Sequence, residues 1–252
     1  MNYTDQLNRT IFVTAPPRRI ISLVPSQTEL LVDLGLEEKI VGVTKFCIHP
    51  EGLKKRKAII GGTKNYRLEV IESLKPDLII GNKEENERAG IEELMGKYPV
   101  WMSDVYTLED SLEMIGSLGE MLSANEKAQG IIRQLKRDFA LPLSRKGTSI
   151  YVIWKDPIMV AGADTFINEM LDFAGFENLI RTPRYPQVSE EELVEVNPEY
   201  LLLSSEPFPF KETHIKYFQS FLPNTKIILV DGEIFSWYGS RLLKAKAYCE
   251  SI

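Results

Sequence analysis

The feature that most constrains this chain is that it states one plan twice. The segment "LEVIESLKPDLIIG" (Leu68–Gly81) is paralleled by "EELVEVNPEYLLLS" (Glu191–Ser204), and "TELLVDLG" (Thr28–Gly35) by "TFINEMLDFAG" (Thr165–Gly175). Each half reads strand, helix, strand or loop, helix, proline, acidic residue, strand, helix, strand. Strands that alternate with helices imply parallel sheets with helices on their faces. The two halves flank Thr107–Phe139, whose apolar residues recur three and four apart: Leu108, Leu112, Ile115, Leu118, Leu122, then Ala128, Ile131, Leu135, Phe139. That spacing predicts two helices in series, the second starting near Ser123 and stopping before Pro142. The fold class expected is therefore α/β: two Rossmann-like lobes with mostly parallel sheets, joined by a long helical backbone. The boundaries are 1–106 for the N-terminal lobe, 107–141 for the connecting helices and 142–252 for the C-terminal lobe.

Local signals place the elements. In the first half, strands are expected at Ile20–Val24, Ile40–Val43, Asp77–Ile80 and Val100–Met102, after a lead-in that turns back at Asn8-Arg9. Helices are expected at Gln27–Leu34, capped by Ser26 and Glu29, and at Arg67–Lys75 and Asn86–Lys97. The second half predicts strands at Ser149–Ile153, Tyr200–Leu203 and Lys226–Val230. Its helices are Phe166–Ala174, capped by Asp164 or Thr165, Glu190–Val196 with a Ser189–Glu192 capping box, Glu212–Phe221, and a last one from Ser240. Open α/β sheets bind ligands beyond the carboxyl ends of their strands. The loops expected there are Lys45–Tyr66, Asn82–Glu85, Trp154–Met159, Arg181–Gln187, Glu206–Phe210 and Glu233–Gly239, gathered around one cleft.

Composition narrows the function. A net charge of −6 disfavours a general nucleic-acid binder, which needs a basic face, so no nucleic-acid partner is expected. No apolar run is long enough for a membrane span, so no membrane insertion is expected either. The opening "MNYTDQLNRTIFV" lacks the basic-then-apolar plan of a secretory leader. The expectation is a cytoplasmic protein if Met1 is the native start, and a periplasmic or cell-surface one if a leader was removed.

Enzyme signatures are scarce. Neither a dinucleotide nor a P-loop glycine pattern occurs, nor a nucleophile elbow. Two histidines and two separated cysteines make no metal spacing, so no metal site, no catalytic residue and no tightly bound cofactor are expected. Cys47 and His49, one residue apart, form the only pair with reactive character. They define an alternative reading, an intracellular enzyme or cofactor-handling protein, although a loop cysteine and loop histidine before Pro50 is the simpler account. The expected rim loops are rich in rings: Phe46, Tyr66, Trp154, Tyr185, Phe208, Phe210, Phe235, Trp237 and Tyr238. Such loops suit a wide, flat ligand. Lys45, Lys64, Arg67, Lys83, Arg184 and Arg241 near them leave room for an anionic one. Glu69 and Glu191 occupy the same position in the duplicated motif, each in a first helical turn, and could present matched acids to a two-fold partner.

These segments, above all "RIISLVPSQTELLVDLG" (Arg19–Gly35), "VGVTKFCIHPEG" (Val41–Gly52), "LEVIESLKPDLII" (Leu68–Ile80), "GADTFINEMLDFAGFENLI" (Gly162–Ile180) and "YPQVSEEEL" (Tyr185–Leu193), resemble the substrate-binding proteins of cobalamin and iron–siderophore ABC importers. The resemblance spans nearly the whole chain and is strongest toward the cobalamin-binding members. It implies a helical-backbone periplasmic-binding-protein fold without catalytic activity. It also implies a large flat or chelated small-molecule ligand held between the lobes, most of all a corrinoid such as cobalamin, with haem or a ferric siderophore as alternatives. The family's permease-docking acids fall on Glu69 and Glu191, which implies an ABC permease dimer as partner. Its corrinoid-contacting rings fall on Phe46 and Tyr185 and on Met159, where the ring is replaced. Thr63 stands where the family has a tryptophan, with Tyr66 nearby to serve in its place. Trp154, Trp237 and Tyr238 complete the expected ligand set.

Overall fold

The computed structural model describes residues 1–252. Contacts divide the chain into two units. Unit 1 is Met1–Val105, Glu109–Leu135 and Tyr238–Arg241; unit 2 is Tyr106–Leu108, Lys136–Trp237 and Leu242–Ile252.

Unit 1 opens with a hairpin, β1 (Asn2–Thr4) against β2 (Thr10–Phe12), turned at Asn8 with φ 59°. There follow β3 (Ile20–Ser22), α1 (Pro25–Asp33), β4 (Ile40–Val43), α2 (Leu53–Arg56), β5 (Ala58–Ile59), α3 (Leu68–Leu74), β6 (Leu78–Asn82), α4 (Arg88–Met95) and β7 (Val100–Ser103). The sheet order is β5-β4-β3-β6-β7, every pair parallel. β3 and β6 are buried throughout, as central strands covered on both faces must be. Ile21, Leu23, Ile71, Ile79, Ile91 and Val100 form the core beneath. Full burial of each such side chain contributes roughly 1.5–3 kcal/mol, an upper estimate.

The stretch Thr107–Phe139 folds as expected into two helices, α5 (Leu108–Met121) and α6 (Asn125–Asp138). Ser123 adopts φ 58° between them and breaks the helical run. Leu112, Ile115, Leu118 and Leu122 are buried, and so are Ala128 and Leu135. The two helices meet where Ala128 lies so close to Gly119 that no Cβ fits there.

In unit 2, β8 (Gly147–Trp154) is followed by β9 (Met159–Val160), α7 (Phe166–Phe173), β10 (Phe176–Asn178), α8 (Glu190–Val196), β11 (Tyr200–Ser204), α9 (Glu212–Gln219), β12 (Lys226–Val230), α10 (Gly232–Ser236) and α11 (Ala245–Ser251). The parallel order is β10-β8-β11-β12, with β9 antiparallel on β8. Thr165 caps α7, accepting from the Asn168 N–H at 3.1 Å. The capping box of α8 is present as expected: Glu192 N donates to Ser189 Oγ at 3.1 Å, and Ser189 N donates to Glu192 Oε2 at 2.7 Å.

The duplicated proline–acid step has a physical purpose in both units. α3 ends on Lys75 (φ 46°, ψ 61°) and α8 on Asn197 (φ 46°, ψ 63°), each left-handed and each followed by proline. The next residue's carboxylate then grips the start of the neighbouring strand. Asp77 accepts from the Arg18 and Arg19 N–H groups, both at 2.8 Å, just before β3. Glu199 accepts from the Thr148 N–H at 2.6 Å, at the start of β8. The Thr148 N–H and hydroxyl, both donating to it, hold the carboxylate of Glu199 below the usual range.

One expected cap is corrected. Ser26 and Glu29 form no capping box: Pro25 takes the first position of α1, the N-cap is Val24, and both residues are buried inside the helix. Glu29 instead accepts from Arg241 Nε at 2.8 Å, a buried ion pair within unit 1. The short elements α2, β5, β9, β10 and α10 are not anticipated by the sequence reading.

Candidate functional site

In unit 1 the loop after β4 carries the expected rings. Lys45 N donates to Gly61 O at 2.8 Å and Gly62 N to Asn65 O at 3.0 Å, folding the loop back on itself. Phe46 is 49% exposed, beside Gly62 and under the Lys45 ammonium, 5.0 Å from the ring centre. Tyr66 is half-buried, its ring resting on Gly90, and burial pushes its phenol well up. Thr63 offers its carbonyl to Asn86 Nδ2 at 2.9 Å. The loop after β6 is held by Asn82, whose Oδ1 accepts from Glu84 N and Glu85 N. This turn places polar backbone at a strand's carboxyl end without needing a helix. Tyr238 belongs to unit 1 and is buried; burial raises its phenol, opposed by the Ser103 and Ser26 hydroxyls.

In unit 2 the expected residues at the end of β8 come together. Trp154 pairs in register with Met159 on β9, and Met159 bridges to Gln187. That bridge brings the Arg184–Gln187 segment alongside, where Arg184 lies over the rings of Tyr185 and Tyr106 at 5.4 and 5.3 Å. Trp154 is 39% exposed, and its ring meets Phe208 edge-on at 5.5 Å. Phe208 in turn packs on Phe210 at 4.6 Å and on His214 at 5.2 Å. His214 Nδ1 accepts from the Lys211 N–H at 2.8 Å, which leaves the proton of a neutral ring on Nε2. Trp237 is buried, with Nε1 donating to Glu206 Oε1 at 2.8 Å. Trp237 and Tyr238 thus support loops from within, whereas the sequence reading sets them on the rim. Phe208 is the ring that reading names without singling out. A cavity of about 420 Å³ also opens in unit 2 around β10 and α7, lined by Arg145, Asn168, Asp172, Phe176 and Arg181, but none of the expected ligand residues lines it.

The Cys47–His49 pair is not a reactive one. Cys47 is fully buried, between the hydroxyls of Thr28 (3.2 Å) and Thr44 (3.3 Å), and burial pushes its thiol up. A nucleophilic thiol needs the opposite, a lowered pKa and access. The segment is not a strand, and His49 is half-buried where Cys47 is enclosed. The enzyme alternative loses its only chemical support.

Glu69 and Glu191 are both exposed, each in the first turn of its helix. The Glu191 carboxylate is held below the usual range by its own backbone N–H and the Ser189 hydroxyl. No helix is long and apolar enough to cross a membrane.

Comparison with known proteins agrees with this architecture. The model of the periplasmic binding protein family matches residues 20–227. The uncharacterized ABC transporter substrate-binding lipoprotein YvrC of Bacillus subtilis is 31% identical over 218 residues, covering 79% of this chain and 67% of its own length. A vitamin B12-binding protein of Vibrio campbellii is 29% identical over 203 residues, covering 77% and 73%. Among solved structures, a possible iron-binding (periplasmic solute-binding) protein from Staphylococcus epidermidis superposes with a TM-score of 0.77 at 26% identity, covering 92% of this chain and 96% of its own. With two parallel-sheet units, duplicated proline–acid steps and a family match running from the first buried strand of unit 1 to the last strand of unit 2, this chain belongs to the periplasmic binding protein family.

Proposed function

We propose that the chain is the substrate-binding component of an ABC importer, that its ligand is a corrinoid, and that it works outside the cytoplasmic membrane, where such a ligand is captured. The observation that carries the ligand reading is the half-exposed ring pair Trp154–Phe208 beyond the carboxyl ends of β8 and β11, with Met159 and Tyr185 alongside. Exposed aromatic surface at that end of an α/β sheet suits a conjugated macrocycle, which can stack on a ring face. A relative named for vitamin B12 binding, aligned over 77% of this chain, supports a corrinoid over haem or a ferric siderophore. With Cys47 enclosed and its thiol raised, binding is the whole activity proposed. Glu69 and Glu191 are the proposed contacts to a permease dimer.

Equilibrium dialysis against hydroxocobalamin, hemin and a ferric hydroxamate tests the reading. Retention of hydroxocobalamin, weakened about tenfold by Trp154→Ala, is expected, since loss of one stacked ring is worth about 1–3 kcal/mol. Retention of hemin or the siderophore alone would replace the corrinoid with that ligand.

A further inference from the structure

The loop that carries Phe208 has no helix or strand of its own between β11 and α9, so its shape depends on what clasps it. Ser205 N donates to Val230 O at 3.0 Å, and Gly232 N donates to Ser205 Oγ at 2.9 Å. Ser236 Oγ and Trp237 Nε1 both donate to Glu206 Oε1, each at 2.8 Å. Tyr151 donates its phenol proton to Ser204 Oγ at 3.1 Å, and the Ser204 hydroxyl donates to the Glu206 carbonyl. A side chain at Gly232 would meet Glu206 Cγ at 2.6 Å, so the loop rests directly on the first turn of α10. Two residues beyond Glu206, Phe208 reaches Trp154.

We propose that Glu206 is a positioning residue for ligand binding: by tying the loop to Ser236 and Trp237, it holds Phe208 edge-on against Trp154 and so sets the aromatic surface offered to the ligand. The ligand half of this statement rests on the corrinoid reading above; the geometric half does not. A half-buried carboxylate beside Asp231 and Glu233 is a costly choice for a loop that needs only an anchor. What it supplies is one oxygen that accepts two donors from α10 and its C-cap together, which fixes the loop in direction as well as in place. Glutamine keeps that acceptor; alanine removes it.

The test labels the protein with 5-fluorotryptophan, which gives three fluorine signals, from Trp101, Trp154 and Trp237. Each is assigned by its Trp→Phe variant. Glu206→Ala is expected to move the Trp237 and Trp154 signals and leave Trp101, which lies in unit 1, in place. Glu206→Gln should leave all three near their wild-type positions. In a Phe208→Ala background, Glu206→Ala should no longer move Trp154. Should Glu206→Ala not fold, Ser236→Ala removes one of the two donors and should move Trp154 in the same sense by less. In hydroxocobalamin titrations, Glu206→Ala should weaken affinity roughly 5- to 20-fold in the wild-type background and no more than about twofold with Phe208→Ala, the non-additivity of a residue acting through its neighbour. A Trp154 signal that stays put while Trp237 moves overturns the proposal. So does an affinity loss of the same size in both backgrounds, which would make Glu206 a direct ligand contact. If the wild-type protein does not take up hydroxocobalamin, the corrinoid reading fails, and the fluorine signals alone decide whether Glu206 positions Phe208.

Discussion

Cys47 and Glu206 show how much burial changes what a side chain can do. The sequence offers Cys47 beside His49 as a reactive pair, but enclosure between Thr28 and Thr44 raises the thiol and removes access. Cys249, also buried, is pushed up to about 11. Neither should react with iodoacetamide in the native protein, and both should react in denaturant; rapid native labelling of Cys47, read by mass spectrometry, would restore the pair as a candidate. Burial likewise lifts Glu206 above its ordinary value of 4.5, opposed by Ser236 and Trp237. A carboxyl whose folded pKa is raised favours the fold when protonated. Its contribution is fully present below the unfolded pKa and is lost as pH rises through the folded one. Glu206→Gln, which cannot ionise, should therefore gain stability relative to wild type as the pH rises from 4 toward 8, levelling above the folded pKa. Urea melts at several pH values measure this, and parallel curves for the two proteins would contradict it.

Strands of four or more residues with apolar runs and helices capped by near neighbours were legible; most very short strands and contacts with distant partners were not. The helix α8 could be read because Ser189 and Glu192 bond each other's backbone. Ser189→Ala should cost about 1 kcal/mol in thermal or urea melts, and no loss would mean that the cap is idle. The same signature at Ser26 and Glu29 misleads, because Pro25 starts α1 and Glu29 finds its partner 212 residues away at Arg241. Arg241→Met, which leaves the Glu29 carboxylate buried without the guanidinium, should cost roughly 3–5 kcal/mol, and adding Glu29→Met should recover much of it. Strands of two or three residues, β5, β9 and β10, are set by their pairing rather than by any pattern of their own. Of the ring residues, Phe46 and Tyr185 lie on loops and Trp154 closes β8, each with part of its surface open. Trp237 could not be placed from sequence because it is buried against partners distant in the chain, Glu206 on another loop among them.

At the scale of the whole molecule, the proposed permease docking rests on Glu69 and Glu191, each exposed in the first turn of its own helix. The double variant Glu69→Arg, Glu191→Arg should leave the melting temperature and ligand affinity nearly unchanged and abolish association with the cognate permease in a pull-down; a large loss of stability would assign the acids a structural role. The ligand remains the central claim, and calorimetric titration with hydroxocobalamin tests it most directly. The account predicts saturation at one corrinoid per chain with Kd below about 10 µM. A hundredfold excess over Kd should then raise the melting temperature by roughly 5–10 °C. Absence of heat and of any thermal shift with hydroxocobalamin, alongside saturable binding of hemin or a ferric siderophore, would contradict it.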